Sequence, residues 1–236
     1  MLPKIEHPLN DIEIPSLKKK YKFRPMLVKE EKILLMAKAS EDETDIFNAV
    51  LQVVNNCSVD PSLDVMKLAI FDLEYIFLKI RAASIGETTE VAFRDTEDNK
   101  VYDFEINLNE VKVEFPKETK NTVKITESSG FTLRYPPAVL YSDKEFLKLE
   151  ASKVFDALVV QCVDKIFDGE KIYESNLYKK EEIADFIENL PVKTYEEVRD
   201  FFAEVPAMKH EIKYKNSMGS ERTILLRNLN DFFTLR

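Results

Sequence analysis

The sequence predicts an α+β fold, with strands and helices gathered into separate stretches. Two patterns carry this. Period-two alternation recurs in Ile12/Ile14, Val91/Phe93 and Tyr102/Phe104/Ile106, whereas helical spacing dominates roughly residues 28–84 and 142–205. A third observation is bulk: 236 residues, 44% hydrophobic and 33% charged, suffice for a substantial core in one large or two small domains.

The elements follow in order. Ile12 and Ile14 with Tyr21 and Phe23 predict a β-hairpin, turned at Ser16-Leu17-Lys18-Lys19-Lys20 and bounded by Pro15 and Pro25. An amphipathic helix then covers about Val28 to Ala39, opening on Glu30 and Glu31. A second begins near Ser40, whose spacing to Glu43 fits a capping box, and carries Ile46, Ala49, Val50, Val53 and Val54. A third runs from about Met66 to Ser84 and is apolar on nearly every side, so it belongs in a core or under a partner. Gly86 reads as its stop.

The middle is β. Val91/Phe93, a polar turn over 95–100, Tyr102/Phe104/Ile106, Val111/Val113/Phe115, Val123/Ile125 and Phe131/Leu133/Tyr135 predict an antiparallel meander with one buried face. The C-terminal region is mainly helical. Ser142 and Glu145 have capping-box spacing, and Phe155, Leu158, Val159, Cys162, Val163, Ile166 and Phe167 form one stripe closed by Gly169. A helix with Ile183, Phe186, Ile187 and Leu190 stops at Pro191, and another, capped by Thr194 and Glu197, carries Tyr195, Val198, Phe201, Phe202 and Val205. A last hairpin joins Ile212/Tyr214 to Thr223–Leu226 through Asn216-Ser217-Met218-Gly219, and the end carries exposed aromatics. Tyr135-Pro136-Pro137 is the best boundary, dividing an α+β domain, 1–135, from a mainly helical one with the terminal hairpin, 136–236.

Composition narrows function. A net charge of −9 disfavours nucleic acid, which needs clustered Lys and Arg, and disfavours anionic membranes. Lys18-Lys19-Lys20 lacks interleaved aromatics and reads as a solvated turn. No apolar run approaches the ~20 residues of a membrane span, and the N-terminus has no apolar segment of a signal peptide. Cys57 and Cys162 read as reduced core thiols of a cytosolic protein, with a disulfide between them left open. The four glycines form no phosphate loop, and no Cys-x-x-Cys or His-x-x-x-His spacing suggests zinc.

Chemistry is likewise sparse. His7 and His210 adjoin no nucleophile, and Glu41-Asp42-Glu43-Thr44-Asp45 reads as a helix start complementing the dipole. The expectation is no enzyme, with no catalytic residue, cofactor or metal; a carboxylate-dependent hydrolase stands a distant third among the readings. The aromatics Phe71, Tyr75, Phe201, Phe202, Phe232 and Phe233 are the candidate partner-binding residues, weighed against simple packing onto the body.

Three segments carry a resemblance. Leu2-Pro3-Lys4-Ile5 through Ile12-Glu13-Ile14-Pro15 to Phe23-Arg24-Pro25 and Val28-Lys29-Glu30-Glu31-Lys32 is one. The run from Phe71-Asp72-Leu73-Glu74-Tyr75 to Ile85-Gly86 is the second, and Tyr214-Lys215-Asn216-Ser217-Met218-Gly219-Ser220-Glu221-Arg222-Thr223-Ile224 the third. Together they resemble the baseplate hub proteins of T4-type tailed phages. That resemblance implies an assembly factor (chaperone) for the central hub of a contractile-tail baseplate, or a structural hub subunit retained in the virion. It implies hub proteins as partners, with a homo-oligomer left open, and the host cytoplasm during assembly or the tail baseplate as the location. It offers no catalytic residues.

Overall fold

An N-terminal hairpin is set by alternation alone. In the computed structural model, which describes residues 5–116 and 120–233, β1 (Asn10–Ile14) and β2 (Lys19–Phe23) pair antiparallel. Ile12, Ile14, Tyr21 and Phe23 all fall on the buried face. Leu2, Pro3 and Lys4, part of the first resemblance segment, lie outside the described residues, as does Met1. Lys19 and Lys20 belong to β2; Lys18 alone of the three lysines remains in the turn, at φ 51°.

Helices α1 (Val28–Ser40), α2 (Glu43–Cys57) and α3 (Ile70–Ser84) follow. Ser40 does not cap α2. Left-handed Glu41 ends α1, the Ser40 hydroxyl donates to the Ala37 carbonyl, and the Asp42 carboxylate accepts from Thr44 N at 2.7 Å. α3 starts later than its apolar pattern, because a short 3₁₀ turn at Val65–Lys67 takes the first residues. It ends at right-handed Ile85, so Gly86 supplies no left-handed cap. Its all-round apolar character is matched by burial of Phe71, Leu73, Ile76, Phe77, Leu78, Ile80 and Ala82.

The strands lie where alternation places them, but their pairing is not one continuous meander. β3 (Thr88–Arg94) and β4 (Val101–Asn107) form a separate hairpin. β5 (Lys112–Glu114) leaves the run, and β6 (Thr122–Lys124) and β7 (Ser129–Leu133) begin a different sheet. Beyond them, Asp143 rather than Ser142 caps the short α4 (Lys144–Leu147), accepting from Glu145 N and Phe146 N.

The long stripe predicted from Phe155 to Phe167 splits in two. α5 (Ala151–Cys162) passes directly into β8 (Val163–Asp168), which hairpins through Gly169, at φ 60°, into β9 (Lys171–Glu174). The open edge of β7 decides this: β8 pairs along it, with Phe167 opposite Gly130 and Ile166 opposite Phe131. α6 (Lys180–Glu188) stops before Pro191, and α7 (Val192–Ala203) starts straight after it. Thr194 therefore lies inside the first turn of α7, buried, and is not its cap.

β10 (Ala207–Lys215) and β11 (Glu221–Leu226) close a hairpin at left-handed Gly219, and the short α8 (Leu229–Phe232) follows. β10 also pairs with β5, Met208 opposite Val113, giving the order β11-β10-β5.

Contacts gather the chain into two units. One holds the chain up to Glu114 together with everything from Ala207, so the terminal hairpin belongs with the N-terminal elements. Part of its core joins Leu78, Val91, Ile106, Val111, Met208, Ile224, Leu226 and Phe232. The other is Phe115–Pro206, with Tyr135-Pro136-Pro137 inside it; its core joins Val123, Phe131, Leu133, Val159, Val163, Ile183, Ile187, Val198 and Phe201. Each unit holds one buried free cysteine, and burial pushes the thiols up to about 11 for Cys57 and about 12 for Cys162.

Candidate partner-binding site

In the first unit a cleft of about 390 Å³ opens beside β1. One wall is the strand itself, from Asn10 to Glu13; the other is α3, which presents Tyr75, Lys79, Ala82 and Ala83 at i, i+4, i+7 and i+8 on one helical face. Pro8, Pro25, Glu87 and Asn109 complete the lining. Among the described residues β1 pairs only with β2, so its outer edge offers backbone N–H and C=O groups to the cleft without a strand partner.

The electrostatics of the walls are uneven. Lys79 Nζ donates to the carbonyls of Leu108, Asn109 and Val111 at 2.8, 2.9 and 3.2 Å, and lies 5.0 Å from the Tyr75 ring centroid. All three ammonium donors are thereby used. Burial lowers this amine to about 8, so Lys79 ties the segment after β4 to α3 rather than serving as a free cation. Tyr75 is raised, by burial first and then by the nearby charge of Glu13. Asp11 and Glu13 stand cross-strand from Lys22 and Lys20. The cleft therefore presents carboxylates, one aromatic ring and an open strand edge, features that can hold an extended peptide by backbone pairing and side-chain charge.

The six aromatics singled out in the sequence are divided between the two units, Phe201 and Phe202 in one and Phe71, Tyr75, Phe232 and Phe233 in the other. Phe71, Phe201 and Phe232 are 1%, 3% and 0% exposed and serve the cores. Phe202 is half-buried, edge-to-face with Phe155 at 5.8 Å, while Phe201 stacks on Tyr135 at 5.3 Å. Phe233 is half-buried, edge-on to Phe77 at 6.3 Å with the Arg81 guanidinium 5.1 Å from its ring centroid. The expectation of exposed aromatics at the end of the chain is thus corrected. α8 is capped reciprocally by Asn228 and Asp231, and Leu229 N donates to Glu74 of α3, so the final helical turn folds Phe232 inward. Of the six, Tyr75 alone lines the cleft.

A surface missed in the sequence lies on α1. Its Ile33, Leu34 and Ala37 are half-buried and Glu30 is fully buried, yet Val28, Leu35 and Met36 are 66%, 59% and 75% exposed. The helix carries apolar residues on two faces, where one amphipathic stripe was expected. The signal was present as the 28, 35, 39 spacing.

Residues 7–234, nearly the whole chain, match the family described as T4 bacteriophage base plate protein. The chain belongs to that family, and is thus a bacteriophage baseplate protein. No curated protein and no solved structure matches it. Among the described residues no helix is long and apolar enough to cross a membrane.

Proposed function

We propose that this baseplate protein is an assembly factor for the central hub of a contractile tail, acting in the host cytoplasm by protein–protein binding and without catalysis. The observation that carries this reading is the cleft between β1 and α3, where a strand edge that has no strand partner among the described residues runs beside Tyr75 and the carboxylates of Asp11, Glu13 and Glu87. A hub subunit made before its neighbours exposes strand edges and apolar interface, both prone to aggregate. Adding one extended segment of that subunit to β1 covers such an edge through backbone hydrogen bonds, and the short strand keeps the complex releasable. The net charge of −9 keeps the binder off nucleic acid.

The test is quantitative mass spectrometry of finished tails beside assembly intermediates, with wild type and Ala83→Trp compared. Ala83 is exposed on the cleft wall, so the substitution fills the cleft without entering the core. Presence in intermediates, absence from finished tails and loss of hub capture by Ala83→Trp are the expected results. A fixed whole-number stoichiometry in finished tails overturns the assembly-factor reading and makes the protein a structural hub subunit.

A further inference from the structure

We infer that α1 pairs with α1 of a second copy of this chain, antiparallel, across a two-fold axis. The helix packs on α2, and its less exposed residues, Glu30, Ile33, Leu34 and Ala37, share one side of it. On the opposite, solvent-facing side, Val28, Lys32, Leu35 and Ala39 follow one another at spacings of 4, 3 and 4, the seam of a two-stranded coiled coil. All four are exposed, and Met36, 75% exposed, borders the seam.

Charge selects both the occupant and its direction. In a parallel pair, Lys32 faces Lys32 of the second copy at the seam, a like-charge contact. In an antiparallel pair, Lys32 lies over Leu35 and Val28 over Ala39, and each lysine stem covers a leucine while its ammonium reaches water. The flanking positions then bring Glu31 of each copy beside Lys38 of the other, twice, by symmetry. Both flanking residues are exposed, and neither has an ion pair within its own chain among the described residues. Lys29 is already turned to Glu30, 3.7 Å away, and leaves the seam uncontested. The opposed helix dipoles add to the same preference.

A thirteen-residue helix spans about 20 Å, and one such pair covers well below the ~800 Å² per partner of a standard interface. The dimer is therefore weak and reversible, with a dissociation constant on the order of 100 µM. It is independent of what occupies the β1–α3 cleft.

Sedimentation velocity of the full chain over a range of about 5 µM to 1 mM, bracketing that constant, tests it. Wild type shifts from monomer to dimer, and Leu35→Glu stays monomeric with an unchanged circular dichroism spectrum and melting temperature. Glu31→Lys and Lys38→Glu each weaken association about five-fold or more, in line with two symmetric surface pairs turned repulsive. The double variant Glu31→Lys/Lys38→Glu returns to wild-type association. A wild type that remains monomeric throughout overturns the inference, as does a dimer indifferent to Leu35→Glu or a double variant that fails to recover.

Discussion

Glu30 receives both guanidinium nitrogens of Arg24, Nη2 at 2.9 Å and Nη1 at 3.2 Å, although its own side chain is fully buried in the first turn of α1. The same guanidinium donates to the carbonyls of Pro25 and Asn56, at 2.9 Å each. Glu30 also accepts from Leu27 N at 3.0 Å. One ion pair thus joins the end of β2, the start of α1 and the end of α2. Burial pushes the Glu30 carboxyl up, but the hydrogen bonds from Arg24 and Leu27 and the Arg24 charge outweigh it and hold the group below its ordinary value.

Removing one partner leaves the other charge buried and uncompensated. Glu30→Ala is expected to lower stability by about 3–5 kcal/mol, read by urea unfolding at neutral pH. Because the folded carboxyl is depressed, its contribution is complete above its unfolded value and is lost as pH falls through the folded one. A loss within about 0.5 kcal/mol means the pair does not hold these elements together.

Phe232 fills the core shared with Leu78, Ile106 and Met208. Phe232→Ala is expected to cost about 3–5 kcal/mol through the cavity it leaves, whereas half-buried Phe233→Ala costs about 1 kcal/mol, the edge-to-face and cation–π share. Differential scanning of the two isolated variants checks this without any partner. Equal melting temperatures overturn the assignment of Phe232 to the core.

The N-terminal hairpin, the buried character of α3 and the Gly219 turn were legible because each is written in nearby residues: Ile12 with Ile14, the apolar residues that recur on every side of the helix from Phe71 to Ile80, and a glycine where φ must be positive. What was illegible depends on distant partners. Nothing near Val113 announces Met208 across from it, and nothing near Phe232 announces the Glu74 carboxylate that fastens α8. Val163, Ile166 and Phe167 continue a helical stripe on paper; the open edge of β7 turns them into a strand. The cleft was half visible, since Tyr75 was singled out, but the β1 edge opposite it needed the tertiary fold.

Gly130 is the position where β7 tolerates no side chain. A Cβ there meets the Val123 carbonyl oxygen at 2.3 Å and Phe167 Cζ at 2.7 Å, so neighbours on both flanking strands must move. Gly130→Ala is expected to destabilise the Phe115–Pro206 unit by about 3 kcal/mol or more. Hydrogen exchange localises the effect: protection falls across β6, β7 and β8 while β10 and β11 keep theirs. Uniform protection across both units contradicts the packing at this glycine.

Glu74 makes stability depend on pH near neutrality. Burial raises its carboxyl to about 7, against the hydrogen bond from Leu229 N and with help from the charge of Asp231. The folded state therefore binds this proton more tightly than the unfolded chain, whose carboxyl titrates near 4.3. The sign follows: stability falls as pH rises from about 4.3 towards 7 and levels off above it. Asp72, raised to about 6 by burial against two hydrogen bonds from Ser16, slopes the same way at lower pH. Glu74→Gln keeps an oxygen for Leu229 N and removes the charge. It is expected to stabilise the protein at pH 8 by on the order of 2 kcal/mol and to change little at pH 4.5, leaving the Asp72 slope in place. Urea unfolding of both proteins at pH 4.5, 6 and 8 decides the matter. A difference between them that does not grow with pH means Glu74 is charged in the folded protein without penalty, and the tie between α3 and α8 is then electrostatically neutral.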